Sequence, residues 1–248
     1  ADTGGLSAGA RARREKLLAI NKQAARTFHK WLYEPEGAQG LEYLRKRGLS
    51  QRTLTRFGLG FAPNRWDALI EALAQEGYDK RDLLDAGLAV NNKDGRIYDR
   101  FRNRVMFPII DIRGEVIGFG GRVMDDSTPK YLNSPDTPVY NKSRNVFALN
   151  IAKKSKAGRV ILTEGYMDTI SLHQAGFDSA VASLGTSLTS EHAQLLSRYF
   201  PEAIISYDGD GAGIAAAQRA IPLLEKAGLK VRVLRVTGAK DPDEFIKT

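Results

Sequence analysis

The chain has 248 residues, of which 42% are hydrophobic, and it carries a formal net charge of +8. That length allows one large domain or two modest ones. Cysteine is absent, which excludes a disulfide framework, a thiolate zinc site and a catalytic thiol. No apolar run approaches the roughly 20 residues that cross a bilayer, and the first residues do not resemble a signal peptide. We therefore expect a cytoplasmic protein without a membrane partner.

The charge is unevenly distributed along the chain. Residues 1–157 contain 28 Lys and Arg against 18 Asp and Glu, whereas residues 158–248 contain 9 against 11. A basic part followed by a mildly acidic part predicts a polyanion-binding surface beside a site built from carboxylates. The alternative is that the surplus Lys and Arg only solvate the surface.

The basic part begins with helices. Residues 1–10 are small and Gly-rich, which predicts a flexible tail. An amphipathic helix over residues 11–32 is predicted by apolar residues at steps of three and four, namely Leu17, Ile20, Ala24, Phe28 and Leu32. Further helices are predicted over residues 39–47, 50–57, 66–75 and 80–86, and strands over 97–98, 105–110 and 116–121. Residues 129–144 contain three prolines and predict an ordered loop.

Strands and helices alternate in the acidic part. Strands are predicted over residues 159–163, 179–184, 203–207 and 230–236. Three helices are predicted: one over residues 166–175, one that is capped by Thr189 and reaches Tyr199, and one over residues 213–227. This alternation predicts a parallel sheet with helices on both faces. The fold class is therefore a mixed α+β subdomain over residues 11–157 followed by an α/β subdomain over residues 158–248.

Acidic residues follow three of these four strands. Glu164 follows the first strand, Asp208 and Asp210 the third, and Asp241 and Asp243 the fourth. Ligands bind at the carboxyl ends of parallel strands, and clustered carboxylates repel unless a cation neutralises them. Oxygen ligands alone favour Mg²⁺ or Mn²⁺, which can orient phosphates. A turn or helix-cap role is the alternative for any single acid.

Arginines occur on alternate residues in the basic part, at Arg100, Arg102 and Arg104. On a strand these side chains would form a row of positive charge, typical of a surface that contacts phosphates. A solvated sheet face is the alternative. Phe101 and Phe119 are interpreted as core residues more readily than as platforms for bases.

The acidic motifs resemble those of the Toprim domain that bacterial primases, topoisomerases, OLD-family nucleases and RecR proteins share. They are Glu164-Gly165-Tyr166-Met167-Asp168, Asp208-Gly209-Asp210 and Asp241-Pro242-Asp243-Glu244. The resemblance implies that Glu164 acts as a general acid/base or metal ligand and that the Asp pairs hold two or more Mg²⁺ or Mn²⁺ ions. The first motif is similar to that of the primase branch.

The basic part resembles the amino-terminal part of the DnaG-type primase polymerase domain. The similarity runs from about Arg13 to Phe245 and includes the segments 43–50, 98–108, 118–122 and 129–135. The resemblance implies a basic ridge for template and RNA–DNA hybrid. Its candidate residues are Arg47, Arg100, Arg102, Arg104, Arg122, Lys130, Asn133, Lys142 and Arg144.

The activity that this resemblance implies is DNA-directed RNA synthesis: short primers made on single-stranded DNA from ribonucleoside triphosphates at the bacterial replisome. A replicative helicase is an expected partner, through a domain absent from this chain. The family's zinc module is also absent, so we expect a partial core without zinc. Gly211 and Ile214 stand where many primases carry arginine.

Three alternatives remain open from the sequence. A topoisomerase or nuclease fragment would share the acids, but nothing resembles a strand-cleaving tyrosine domain. A non-catalytic module that binds single strands would need only the basic part. A Rossmann-type enzyme is disfavoured because no Gly-x-Gly-x-x-Gly follows the strand over residues 159–163.

Overall fold

A 25-residue helix, α1 (Ala8–Leu32), opens the part of the chain that the computed structural model describes, residues 7–234. All five predicted apolar positions of α1 are buried, which confirms the amphipathic pattern. The helix begins three residues earlier than predicted because the Ser7 side chain accepts a hydrogen bond from Ala10 N–H. The predicted tail up to residue 10 is therefore wrong for residues 8–10, and residues 1–6 lie outside the described residues.

The other elements follow in chain order. The helices are α2 (Ala38–Lys46), α3 (Gln51–Arg56), α4 (Ala68–Gln75), α5 (Lys80–Asp85), α6 (Leu149–Ala152), α7 (Tyr166–Gln174), α8 (Ser190–Ser197) and α9 (Gly211–Lys226). The strands are β1 (Gly60–Ala62), β2 (Ala89–Asn91), β3 (Ile97–Asp99), β4 (Arg104–Ile110), β5 (Val116–Val123), β6 (Tyr131–Asn133), β7 (Arg159–Thr163), β8 (Ala180–Ala182), β9 (Glu202–Ile205) and β10 (Lys230–Val233). No helix among residues 7–234 is long and apolar enough to span a membrane.

The described residues divide into two compact units that interleave along the chain. The first comprises residues 7–48, 58–108 and 115–141, and the second comprises residues 49–57, 109–114 and 142–234. Periodicity in the sequence does not reveal this interleaving, because it reports local structure and not which distant segments pack together.

The first unit is built around α1 and an antiparallel sheet. The sheet has the order β1-β4-β5-β6, with β1 antiparallel to β4 and β6 antiparallel to β5. The core includes Phe28, Phe101 and Phe119, whose rings meet edge to face, so the core interpretation of the two phenylalanines is confirmed. The loop predicted over residues 129–144 was wrong at β6, which pairs with β5 through only three residues and therefore has little periodicity of its own.

The second unit contains a fully parallel four-stranded sheet, as the alternation predicted. Its strand order is β10-β9-β7-β8. The connection from β7 to β8 runs to one side, whereas those from β8 to β9 and from β9 to β10 run to the other. Because such crossovers are right-handed, α7 lies on one face and α8 and α9 lie on the other. Contacts between α8 and α9 agree with this placement.

Candidate active site

The strand order creates a crevice between the carboxyl ends of β7 and β9. These two strands are neighbours in the sheet, yet the chain leaves them in opposite directions. Loops diverge at such a point, and open α/β sheets bind ligands there. Glu164 follows β7 directly, and Asp208 lies three residues after β9. The structure thus brings together two of the predicted acids at the position that the topology favours.

A hydrogen bond joins these two loops. The backbone N–H of Asp208 donates to Glu164 Oε1 at 2.9 Å, while Glu164 itself remains exposed. A carboxylate held by a backbone donor has a fixed orientation without losing its contact with solvent. Glu164 is therefore both oriented and accessible.

The turn that carries Glu164 is supported from beneath by two buried threonines. Thr163 Oγ1 lies 2.7 Å from Thr169 Oγ1, and the Thr169 hydroxyl donates to the carbonyl oxygen of Gly165 at 3.0 Å. These bonds connect the end of β7 to the first turn of α7. They explain why a residue at the junction of strand and helix keeps one position.

A glycine in the first turn of α9 makes the approach of the two loops possible. A Cβ at Gly213 would lie 2.1 Å from the carbonyl oxygen of Asp208 and 2.6 Å from Glu164 Oε1. Both separations are shorter than any non-bonded contact between a carbon and an oxygen atom. Position 213 therefore requires glycine, a functional constraint that the sequence analysis missed because Gly213 resembled an ordinary helix start.

Asp210 has a different role from Asp208. It is the N-cap of α9, and its Oδ1 accepts a hydrogen bond from the N–H of Gly213 at 2.7 Å. The helix-cap alternative therefore applies to Asp210. Among residues 7–234, no three His, Cys, Asp or Glu side chains are grouped closely enough to hold a metal ion. The predicted five-acid site is thus not complete within these residues, and Asp241 and Asp243 lie outside them.

The carboxylate oxygens of the described residues nevertheless suit a hard cation as ligands. Glu164, Asp208 and Asp210 offer only carboxylate oxygens, which suit Mg²⁺ or Mn²⁺. The first turn of α9 satisfies one oxygen of Asp210, and the Asp208 N–H satisfies one oxygen of Glu164. Each interaction fixes its carboxylate at the edge of the crevice.

A cavity of about 150 Å³ adjoins Glu164. It is lined by the hydroxyl residues Ser183, Thr186 and Ser187 and by Arg219. Tyr207 also lines it, and burial together with the charge of Glu164 raises the pKa of its hydroxyl to about 12. This hydroxyl therefore stays protonated at neutral pH. The sequence alone does not identify these residues, because isolated Ser, Thr and Tyr carry no periodic signal.

In the first unit, two predicted basic residues converge on one tyrosine. The guanidinium carbon of Arg122 lies 4.3 Å from the ring centre of Tyr43, and Arg47 Nη1 donates to the Tyr43 hydroxyl at 3.3 Å. Arg47 and Arg122 are 75 positions apart in sequence, so only the fold could reveal their proximity. Tyr43 was missed as a member of this cluster.

The predicted row of arginines on one strand is wrong. Residues 100–103 are not in a strand, and only Arg104 lies in β4. The Arg104 side chain is buried, with its guanidinium donating to the carbonyl oxygens of Gly121, Lys130 and Pro129 at 2.9–3.3 Å. Burial lowers the pKa of Arg104. Carbonyl groups that need donors hold this side chain inside the unit.

Arg100 has a similar supporting role. Its Nε and Nη2 both donate to the carbonyl oxygen of Asn133, at 3.2 and 2.9 Å, and burial lowers its pKa. Arg104 holds residues 129 and 130 in the same manner, while the Lys130 side chain is exposed. Two of the predicted arginines thus fix the backbone that presents Lys130 and Asn133.

The segment with Lys142 and Arg144 is fixed by the start of α8. His192 Nδ1 accepts a hydrogen bond from Thr189 N–H, so its Nε2 donates to the Lys142 carbonyl oxygen at 2.9 Å. The Thr189 hydroxyl donates to the Ser143 carbonyl oxygen at 2.7 Å. Burial lowers the pKa of His192, which keeps its ring neutral. The Lys142 and Arg144 side chains are exposed.

Comparison with known proteins agrees with this arrangement. The model of the DNA primase catalytic core, N-terminal domain, matches residues 27–153, and a Toprim-like model matches residues 161–246. A DNA primase of Clostridium acetobutylicum is 47% identical over 234 residues, which are 94% of this chain and 39% of that protein. The chain therefore spans about two fifths of the length of this relative.

Solved structures agree as well. The primase catalytic core of Escherichia coli has a TM-score of 0.86 at 43% identity, over 93% of this chain and 75% of that one. A DnaG primase catalytic domain bound to single-stranded DNA has a TM-score of 0.88 at 41% identity, over 96% and 76%. This chain therefore belongs to the family of DnaG-type DNA primase catalytic cores and carries a Toprim domain.

Proposed function

We propose that this chain catalyses the synthesis of short RNA primers on single-stranded DNA. In this reaction the 3′-hydroxyl of a ribonucleotide attacks the α-phosphate of an incoming ribonucleoside triphosphate, and pyrophosphate leaves. The observation that carries the proposal is the exposed Glu164 at the switch point of a parallel sheet, fixed by the N–H of Asp208. Because the chain belongs to the primase family, primer synthesis is favoured over the activity of a topoisomerase or a nuclease.

Glu164 is proposed to act on the reacting groups and not on the template. Its carboxylate is accessible at the crevice and held in one orientation, as a proton acceptor or a metal ligand requires. Asp208 and Asp210, together with Asp241 and Asp243, complete the proposed acidic set. Mg²⁺ or Mn²⁺ bound by these acids would neutralise phosphate charge and position the triphosphate.

Five exposed or half-exposed basic residues and one asparagine are proposed to bind nucleic acid. They are Arg47, Arg122, Lys130, Lys142, Arg144 and Asn133. A related primase domain has been solved with single-stranded DNA bound, which supports single-stranded DNA as the template. Ribonucleoside triphosphates, the RNA–DNA hybrid and a replicative helicase complete the proposed partners.

The proposed boundary between the primase-type subdomain and the Toprim subdomain lies at residues 157 and 158, between the two matched ranges. A replication enzyme of this kind would act in the cytoplasm, at the nucleoid.

The experiment that tests the proposal is primer synthesis on single-stranded DNA with labelled ribonucleoside triphosphates. We expect short RNA products that require both the template and Mg²⁺ or Mn²⁺. A chain that binds single-stranded DNA but makes no RNA with either metal would be a binding module, and the proposed function would be wrong.

A further inference from the structure

The cavity beside Glu164 is lined by polar side chains that have no partner within the part of the chain described. Three of them are Ser183, Thr186 and Ser187 in the loop after β8, and the fourth is Arg219 on α9. Within residues 7–234 none of these four side chains forms a hydrogen bond or an ion pair. We call the four residues the hydroxyl pocket. Polar groups that converge on a cavity without protein partners indicate a ligand site.

The loop that carries the three hydroxyls, residues 183–188, is fixed at both ends. Before the loop, Ala182 and Phe147 exchange two backbone hydrogen bonds, of 2.8 and 3.3 Å. After the loop, Thr189 caps the amino end of α8 through its hydroxyl. Leu188, inside the loop, packs in the core of the second unit. Because these contacts hold the loop, the hydroxyl pocket is formed before any ligand binds.

The side chains and the size of the hydroxyl pocket match a phosphate group. Ser and Thr hydroxyls each donate one hydrogen bond, and a guanidinium can donate two parallel hydrogen bonds to phosphate oxygens. The cavity volume of about 150 Å³ is below the range of roughly 300–1,000 Å³ that larger organic ligands occupy. The pocket therefore favours a small group, such as a phosphate or a diphosphate, over a whole nucleoside.

The Glu164 carboxylate also lines this cavity and adds a negative charge beside Arg219. A free anion would be repelled by that carboxylate, whereas an anion that carries a divalent cation would not. Carboxylate and phosphate oxygens are both suitable ligands for Mg²⁺ or Mn²⁺. We therefore expect the pocket to bind a diphosphate together with one of these cations.

The position of the hydroxyl pocket indicates which diphosphate it binds. The pocket adjoins the crevice where Glu164 is proposed to act on the reacting α-phosphate, so the β- and γ-phosphates of the same molecule would lie next to it. We infer that the hydroxyl pocket binds the β- and γ-phosphates of the incoming ribonucleoside triphosphate, the group that is released as pyrophosphate. This inference rests on the proposed function, because it deepens the site that Glu164 defines.

Calorimetric titration with magnesium pyrophosphate tests the inference without any need for primer synthesis. Arg219→Met removes a charged donor, so we expect pyrophosphate affinity to fall by about tenfold or more. Thr186→Val keeps the shape of the side chain and removes its hydroxyl, so we expect a fall of about fivefold. Arg219 is exposed and Thr186 is half-exposed, so both variants should fold, which thermal unfolding checks.

Matched controls and two nucleotides make the test specific. Arg198→Met and Thr55→Val change an exposed arginine after α8 and an exposed threonine of α3, and both should leave pyrophosphate affinity unchanged. GTP carries the β- and γ-phosphates, whereas GMP lacks them. Arg219→Met should therefore weaken GTP binding by about the same factor as pyrophosphate binding, and GMP binding should not change.

Several outcomes would overturn the inference. They are an unchanged pyrophosphate affinity in Arg219→Met and Thr186→Val, an equal loss in the two controls, a loss of GMP affinity as large as that of GTP, and a loss with pyrophosphate but not with GTP. Primer synthesis by the parent chain is measured in parallel. Synthesis with unchanged pyrophosphate affinity in both variants rejects the hydroxyl pocket and leaves the proposed function intact, whereas diphosphate binding that requires Arg219 without synthesis does the reverse.

Discussion

Two charged residues that the sequence suggested as site residues, one in each unit, have opposite relationships to solvent. In the second unit, Glu164 is exposed at the end of a strand, and the fold orients it through one backbone hydrogen bond. In the first unit, Arg104 is buried and its guanidinium is occupied by three carbonyl oxygens. The comparison teaches that a cluster of charges in sequence identifies a site only when the topology leaves those charges at an accessible edge. Where a charged side chain is buried, as Arg104 is, it forms hydrogen bonds that fix the backbone instead.

The largest effect on primer synthesis is expected at Gly213 in the second unit, where there is no space for a side chain. Gly213→Ala would place a methyl group against the Asp208 carbonyl and the Glu164 carboxylate. Displacing these groups by an ångström should lower primer synthesis by about 100-fold. The matched control is Gly211→Ala, because a Cβ there meets nothing within 4 Å. Equal activity of the two variants would show that the approach of the loops does not matter for synthesis.

The buried arginine of the first unit should affect stability instead of chemistry. Arg104→Met removes the guanidinium hydrogen bonds to three carbonyl oxygens, of which that of Lys130 keeps the Val123 N–H, so we expect the free energy of unfolding to fall by roughly 2–4 kcal/mol. Arg122→Met, at a partly exposed guanidinium, should change stability by less than about 1 kcal/mol and weaken binding of single-stranded DNA. Urea unfolding and DNA titration of both variants measure this contrast. Similar free energies of unfolding for Arg104→Met and Arg122→Met would contradict the expected difference between the buried and the partly exposed arginine.

A buried acid in the first unit should make stability depend on pH. Burial is the main cause that raises the pKa of Asp99 to about 7, whereas an unfolded Asp has a pKa of about 3.9. The folded state therefore holds this proton more tightly, and the free energy of unfolding should decrease as pH rises from about 4 to 7. The expected decrease from this group is on the order of 4 kcal/mol, since each pKa unit corresponds to about 1.4 kcal/mol.

Asp99→Asn removes the titrating group and should flatten this part of the pH profile. Urea unfolding at several pH values compares the variant with the parent chain. Parallel profiles would mean that Asp99 does not titrate in this range.

The smallest effects concern the exposed lysines. Lys130→Ala and Lys142→Ala should each lower affinity for single-stranded DNA and reduce the slope of log affinity against log salt by about 0.7. Thermal unfolding should change little, because exposed lysines contribute within about 0.5 kcal/mol. Lys93→Ala, at another exposed position, serves as the control. Slopes equal to those of the parent would exclude both residues from the DNA path.

The sequence predicted the second unit better than the first for a physical reason. The parallel sheet follows from local alternation, and strand ends then locate Glu164 and Asp208 without knowledge of distant contacts. The pairing of Arg122 with Tyr43 and the burial of Arg104 depend on tertiary packing between segments far apart in sequence. Arginines on alternate residues predicted a row of positive charge if they lay on a strand, but hydrogen bonds to backbone carbonyl groups determine where two of those side chains lie. The requirement for Gly213 was also invisible, since only two converging loops create it.

The most direct measurement of the central claim is primer synthesis by Glu164→Gln, with single-stranded DNA affinity measured in parallel. Glutamine keeps the size and can still accept the Asp208 N–H, so the fold should persist. We expect DNA affinity close to that of the parent and synthesis lower by about 100-fold or more, because the lost charge acts on the reacting groups. Near-normal synthesis by the folded variant would contradict it and would place the chemistry elsewhere in the chain.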